Sequence, residues 1–69
     1  GSEIYLRPAE WYVQPGRTVS YATVVAGAAA RGATAIGYKS DALGVLVNPA
    51  KSQTFDVQPG DRVVVLAET

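Results

Sequence analysis

Glu3, Glu10, Asp41, Asp56, Asp61 and Glu68 are the six carboxylates that could act as a general acid or base in this sequence. Such chemistry needs two groups converging on one bond, with their proton affinities pushed apart. Each of the six stands beside a turn or near a chain end, where a carboxylate is expected to stay solvated, so no dyad is expected. The sequence holds no histidine and no cysteine. That removes the Ser-His and Cys-His nucleophile pairs, together with thiolate and imidazole metal sites. A hard cation such as Ca²⁺ can use carboxylates and backbone carbonyls, but the spacing of Asp56 and Asp61 matches no calcium loop. Only a site shared between two chains remains for it. Gln14-Pro15-Gly16 and Gln58-Pro59-Gly60 both lack the spacing of a phosphate-cradling glycine loop. The expectation is therefore a protein without catalytic residues, without a metal centre and without a resident cofactor.

What is left for such a chain is binding and assembly, and its size agrees. At 69 residues it is a single domain, 1–69, near the lower limit for one self-sufficient hydrophobic core. Disulfides and metals cannot support it, so association can. Six basic and six acidic residues cancel and are scattered singly. No basic stripe exists to replace counterions on a nucleic acid, and no polybasic patch to meet an anionic membrane. No apolar run approaches the ~20 residues of a membrane span, and the N-terminus lacks the basic start and apolar core of a signal peptide. Charged residues make up 17%, below the ~25% usual in soluble domains, which again favours a surface covered by a partner.

The elements follow from pattern. Ile4–Arg7 is β-prone, and Pro8 makes it an edge strand or bends it. Trp11 is expected as a core or interface anchor; the rival reading, a stacking platform for a base or sugar, lacks a basic aromatic cluster around it. After the Gln14-Pro15-Gly16 turn, Thr18 or Ser20 is placed to cap one helix, Val19–Ala30, with Arg31 at its carbonyl end and Gly32 as its left-handed stop. Between Tyr21 and Ala30 the only polar side chain is Thr23, and there is no charge at all. Two arrangements fit: a helix lying flat on a sheet with a small-residue outer face, or a helix sandwiched between its own sheet and a second copy. The lack of charge favours the second. Tyr21, Ala22, Val25, Ala26 and Ala29 are then the interface residues of a homodimer. Ala33–Lys39 reads as a strand in which Gly37 marks a bulge or a close backbone approach. Val45–Val47 is a third strand, stopped by Asn48-Pro49, and Thr54–Val57 a fourth. Pro59-Gly60 fits the centre of a type II turn, with Asp61 and Arg62 solvated. Val63–Leu66 is an apolar strand suited to the middle of a sheet, covered on both faces or by a dimer seam. The sum is α+β: one helix on a small, mostly antiparallel four- to five-stranded sheet, in the order β-α-β-β-β-β.

The ordered set Ala35-Ile-Gly-Tyr-Lys39, Val47-Asn-Pro-Ala-Lys51 and Pro59-Gly-Asp-Arg-Val-Val-Val-Leu66 resembles the C-terminal subdomain of RCK (regulator of potassium conductance) modules, also called TrkA-C domains. It is most similar to the gating segments of CASTOR/POLLUX-like ion channels. The similarity runs from about Glu3 to Glu68. It implies a cytoplasmic, non-catalytic regulatory domain that dimerises within the gating assembly of a potassium-channel-like cation transport protein, with no nucleic acid partner and no membrane insertion of its own. Some members take a small effector near the dimer interface, a cation or the cyclic dinucleotide c-di-AMP. By position this implies Ile36, Lys39, Val47, Asn48 and Pro49 as ligand-binding residues. Lys39 stands where many members carry Arg, and an ammonium meets phosphate as a point charge rather than a fork. On their own residues, Lys39 reads first as a solvated strand end and Asn48 as a turn residue before proline, ahead of any ligand contact. Two other readings stay open: an assembly module with no ligand of its own, and a small β-rich accessory domain of an enzyme that shares only the Pro-Gly-Asp turn.

Overall fold

A computed structural model describes residues 1–68. It is α+β, as the pattern requires. β1 (Glu3–Pro8) leads into a single 3₁₀ turn, Ala9–Trp11; then come β2 (Thr18–Ser20), α1 (Tyr21–Ala30), β3 (Thr34–Ser40), β4 (Gly44–Val47), β5 (Thr54–Asp56) and β6 (Arg62–Ala67). The main sheet has four strands in the order β1-β6-β3-β4, and β2 pairs with β5 in a separate two-stranded ribbon. All these pairings are antiparallel. β6 takes the central place that its Val-Val-Val-Leu run demands, between β1 and β3. The strand Thr54–Asp56 does not join that sheet; it pairs with Thr18–Ser20 instead.

The helix begins two residues later than the sequence suggests, because Val19 pairs with Phe55 in β2. Ser20 caps it: its side chain accepts from the Thr23 N–H at 3.3 Å. The Tyr21 N–H donates to the Gln53 carbonyl at 2.8 Å and the Ala22 N–H to the Lys51 carbonyl at 3.0 Å. The first turn thus has its orphan donors met within the chain, and no anion site is left at that end. Ser20→Ala is expected to cost about 1 kcal/mol, read as a lower urea midpoint with an unchanged slope. At the other end Gly32 takes φ +76°. Its N–H donates to the Ala29 carbonyl, and the Ala33 N–H to the Ala28 carbonyl, the paired bonds of a Schellman stop.

The core lies between the helix and the inner face of the sheet. Tyr21, Val24 and Ala28 meet Ala35, Tyr38, Val63, Val65 and Phe55, all buried. Two glycines set how closely the layers approach. A Cβ on Gly27 would overlap the Tyr12 carbonyl oxygen, and one on Gly37 would lie 2.6 Å from the Leu46 carbonyl oxygen. Gly27 therefore lets the chain's own Tyr12 backbone approach the helix. Gly37 also sits at the register shift between β3 and β6. Among the described residues no helix is long and apolar enough to cross a membrane.

Candidate functional site

The helix occupies one face of the main sheet; the opposite face is open. In β6 the alternation puts Val63, Val65 and Ala67 inward, so Arg62, Val64 and Leu66 point the other way. Register carries that outer face across the sheet: Ile4 lies opposite Leu66 and Leu6 opposite Val64. Lys39 lies opposite Arg62 on one side and Val45 on the other, and Gly37 opposite both Val64 and Val47. Ile4, Leu6, Val45, Val47 and Leu66 are between 38% and 75% exposed. The row Leu6, Val64, Gly37 and Val47 carries apolar surface across every strand, with Lys39 and Arg62 beside it on the two central strands; apolar surfaces of this extent mark sites of contact.

The five residues implied as ligand-binding fall along one margin of this face. Ile36 is half-buried at the bulge, and its carbonyl accepts from the Asn48 N–H at 2.9 Å. Asn48 holds φ +45°, a left-handed conformation that asparagine tolerates better than most residues, and it turns the chain into half-buried Pro49. Val47 is 75% exposed, and Lys39 is exposed beside Arg62. The fold brings these residues together as a patch, not as a pocket.

The five helix residues expected at an interface divide. Ala22, Ala26 and Ala29 are exposed and Val25 half-buried, but Tyr21 is turned inward. Its ring meets Phe55 edge-on at 6.3 Å, and Phe55 stacks on Tyr38 at 4.2 Å. The outward helix surface offers little beyond methyl groups, whereas the large exposed aliphatics are all on the other side of the molecule or on the β3–β4 turn.

Two expectations are corrected. Of the two places expected for Trp11, core or interface, the core is excluded: it is 51% exposed, because the chain leaves β1 through the 3₁₀ turn instead of continuing as a strand. The Arg7 guanidinium lies 5.6 Å from the Trp11 ring centre and 4.5 Å from that of Tyr5, so the indole does have a basic aromatic setting. Asp61 is not solvated: it is 5% exposed. Its Oδ2 accepts from the Tyr38 hydroxyl at 2.7 Å and from the Gln58 N–H at 3.0 Å, and its carbonyl accepts from the Ala9 N–H at 2.9 Å. The turn it closes is the expected one, with Gly60 at φ +89° and the Asp61 N–H on the Gln58 carbonyl. Counting by twos back from Val65 and Val63 places position 61 on the inner face, a signal present in the sequence. Burial, and then the Asp61 hydrogen bond and charge, push the Tyr38 phenol well above its ordinary value; burial alone pushes Tyr21 up.

Among the described residues no group of three or more His, Cys, Asp or Glu side chains is placed to hold a metal ion. No family model matches the chain, and no curated protein matches it.

Proposed function

We propose that this chain is a non-catalytic regulatory and dimerisation module from the cytoplasmic part of a potassium-channel-like cation transport protein. The observation that carries the assembly reading is the open outer sheet face. Four strands ~4.8 Å apart, with about six residues of ~3.3 Å each, make a face about 20 Å square. Two such faces stacked on one another bury on the order of 1,000 Å², about the least that a specific interface needs. A second copy of the chain is the natural cover, since a two-fold axis pairs one apolar patch with itself. The order of Ala35–Lys39, Val47–Lys51 and Pro59–Leu66 supports the gating context. An effector, a cation or a cyclic dinucleotide, would meet Ile36, Lys39, Val47, Asn48 and Pro49 at the margin of that face. It would act by preferring one arrangement of the two copies over another. The flatness of that patch favours a second reading, an assembly module with no ligand of its own.

Light scattering coupled to size exclusion tests the assembly. The expected result is a dimer at high micromolar concentration, a monomer for Leu66→Lys with unchanged far-ultraviolet dichroism, and an undisturbed dimer for Ala26→Glu on the helix. A wild-type monomer at that concentration would sink the reading. Dissociation by Ala26→Glu alone would move the interface to the helix.

A further inference from the structure

The main sheet has two outer strands, β1 and β4, and their edges are built differently. β1 carries Glu3 and Arg7 and closes on Pro8, which has no N–H to offer. Charge and proline are ordinary devices that keep an edge from pairing with another chain. β4, Gly44–Val47, carries neither. Its two valines are exposed, Val45 at 55% and Val47 at 75%.

Register fixes which backbone groups of β4 are unspent. The Asn48 N–H donates to the Ile36 carbonyl. Val47 lies opposite Gly37, Leu46 opposite Tyr38 and Val45 opposite Lys39. In an antiparallel ladder, hydrogen-bonded and non-bonded pairs alternate. Asn48 and Leu46 therefore turn their N–H and C=O toward β3, and the Leu46 carbonyl oxygen does lie against Gly37. Val45 and Val47 turn theirs out of the sheet. Among the described residues no loop or side chain bonds them. Gly44 at φ +69° and Asn48 at φ +45° take the chain off the strand on either side. What remains is two donors and two acceptors, placed evenly about Leu46.

That arrangement is its own complement. A two-fold axis perpendicular to the sheet at Leu46 sets Val45 opposite Val47 of a second copy, and Val47 opposite Val45 of that copy. Each of these pairs exchanges two N–H···O bonds, so every unspent group of both strands is met. The valine side chains then adjoin across the seam, a favourable cross-strand pairing. Any extended peptide could offer backbone groups, but the even placement about one residue favours an identical strand.

We propose that β4 pairs edge to edge with β4 of a second copy, antiparallel about Leu46, which joins two four-stranded sheets into one continuous sheet. The guarded β1 edges stop it from growing further. The seam is short, so alone it is weak, with a dissociation constant on the order of 1 mM, comparable to the effective concentration of two modules tethered in one assembly. It lies at the edge of the sheet and does not rest on the stacking of outer faces.

The test uses the full chain carrying Leu66→Lys, so that the outer face is blocked throughout, with amide NMR spectra from about 0.05 to about 2 mM, a range that brackets that constant. The Val45 and Val47 amide shifts are expected to move with concentration along one dimerisation curve, while those of β1 stay level. Mixing isotope-labelled with unlabelled chains should give a nuclear Overhauser contact between the Leu46 α-protons of the two copies, the close approach of a non-bonded antiparallel pair. Val47→Pro, added to that chain, removes an outward N–H and no bond within the sheet; it should abolish the concentration dependence. Should that variant unfold, Val45→Lys places a charge on the edge and should have the same effect. The proposal is overturned if the shifts at 45 and 47 stay level to the highest concentration, if the β1 amides move instead, if the contact between copies joins other residues, or if a folded variant at 45 or 47 pairs as tightly as its parent. With the face blocked in every sample, a failure of face stacking in the wild type imitates none of these outcomes.

Discussion

Gly27→Ala is expected to destabilise the protein by about 2–3 kcal/mol, the cost of forcing a buried group into a filled site. Helix propensity alone has the opposite sign, with alanine better than glycine by ~1 kcal/mol in a helix interior. Geometry decides. The position faces the Tyr12 backbone, and the atom that a Cβ would meet is a carbonyl oxygen, which cannot swing aside as a side-chain end could. Tyr12 is itself held by its N–H on the Ala9 carbonyl, and Ala9 is fully buried and tied to Asp61. The helix must lift from the 3₁₀ turn or the turn must move off β6. For a chain of 69 residues, whose total stability is on the order of 3–10 kcal/mol, the melting point should fall by roughly 10–20 °C. Ala26→Gly, one residue earlier and exposed, should cost only the ~1 kcal/mol of propensity. A thermal melt in which Gly27→Ala equals or exceeds the wild type would refute the packing argument.

The second large effect is alkaline. Tyr21 and Tyr38 both have their phenol pKa raised above the ordinary 10.0 in the folded state. The folded protein therefore holds protons that the unfolded chain releases once the pH passes 10. Stability from this source is fully present below pH 10 and is lost as pH climbs from there toward the raised values. The limiting slope is about 1.4 kcal/mol per pH unit for each tyrosine, and about twice that for the pair. Urea midpoints taken from pH 8 to 12 should be level at first and then fall steeply. Tyr38→Phe should halve the steep part. Asp61→Ala should lower stability at every pH by about 2–4 kcal/mol, because it strands the Tyr38 hydroxyl and the Gln58 N–H in the interior. A level alkaline profile in the wild type would show that the two phenols are not held as the structure has them.

Local chemistry explains which parts of the fold can be read from sequence. The Ser20 cap, the Gly32 stop, the Gly37 irregularity and the Pro59-Gly60 turn are each set by residues within four positions of one another, and each is found where expected. The central place of β6 follows from an unbroken apolar run. The β2–β5 ribbon is different: it joins Thr18–Ser20 to Thr54–Asp56, and three-residue strands announce themselves only when paired. Trp11 misleads because an indole is usually the best-buried group available, while Pro8 and the turn after it set where the chain goes. That Ile36, Lys39, Val47, Asn48 and Pro49 lie near one another is legible, because one hairpin and the turn after it place them. The burial of Asp61 is not, because it follows a turn that ordinarily leaves an aspartate in water.

The pairing of β1 with β6 puts Glu3 opposite Ala67. A pull applied between those two residues would therefore act on the outermost rung of the ladder first and open the remaining rungs one at a time, as a zip opens. Sheets loaded along their strands must break many bonds together; this one would yield in sequence and at low force. If the domain hangs from a larger assembly by both ends at that corner, tension in its tethers reaches the Tyr38–Asp61 end of β6 only after the strand that shields it has been peeled away.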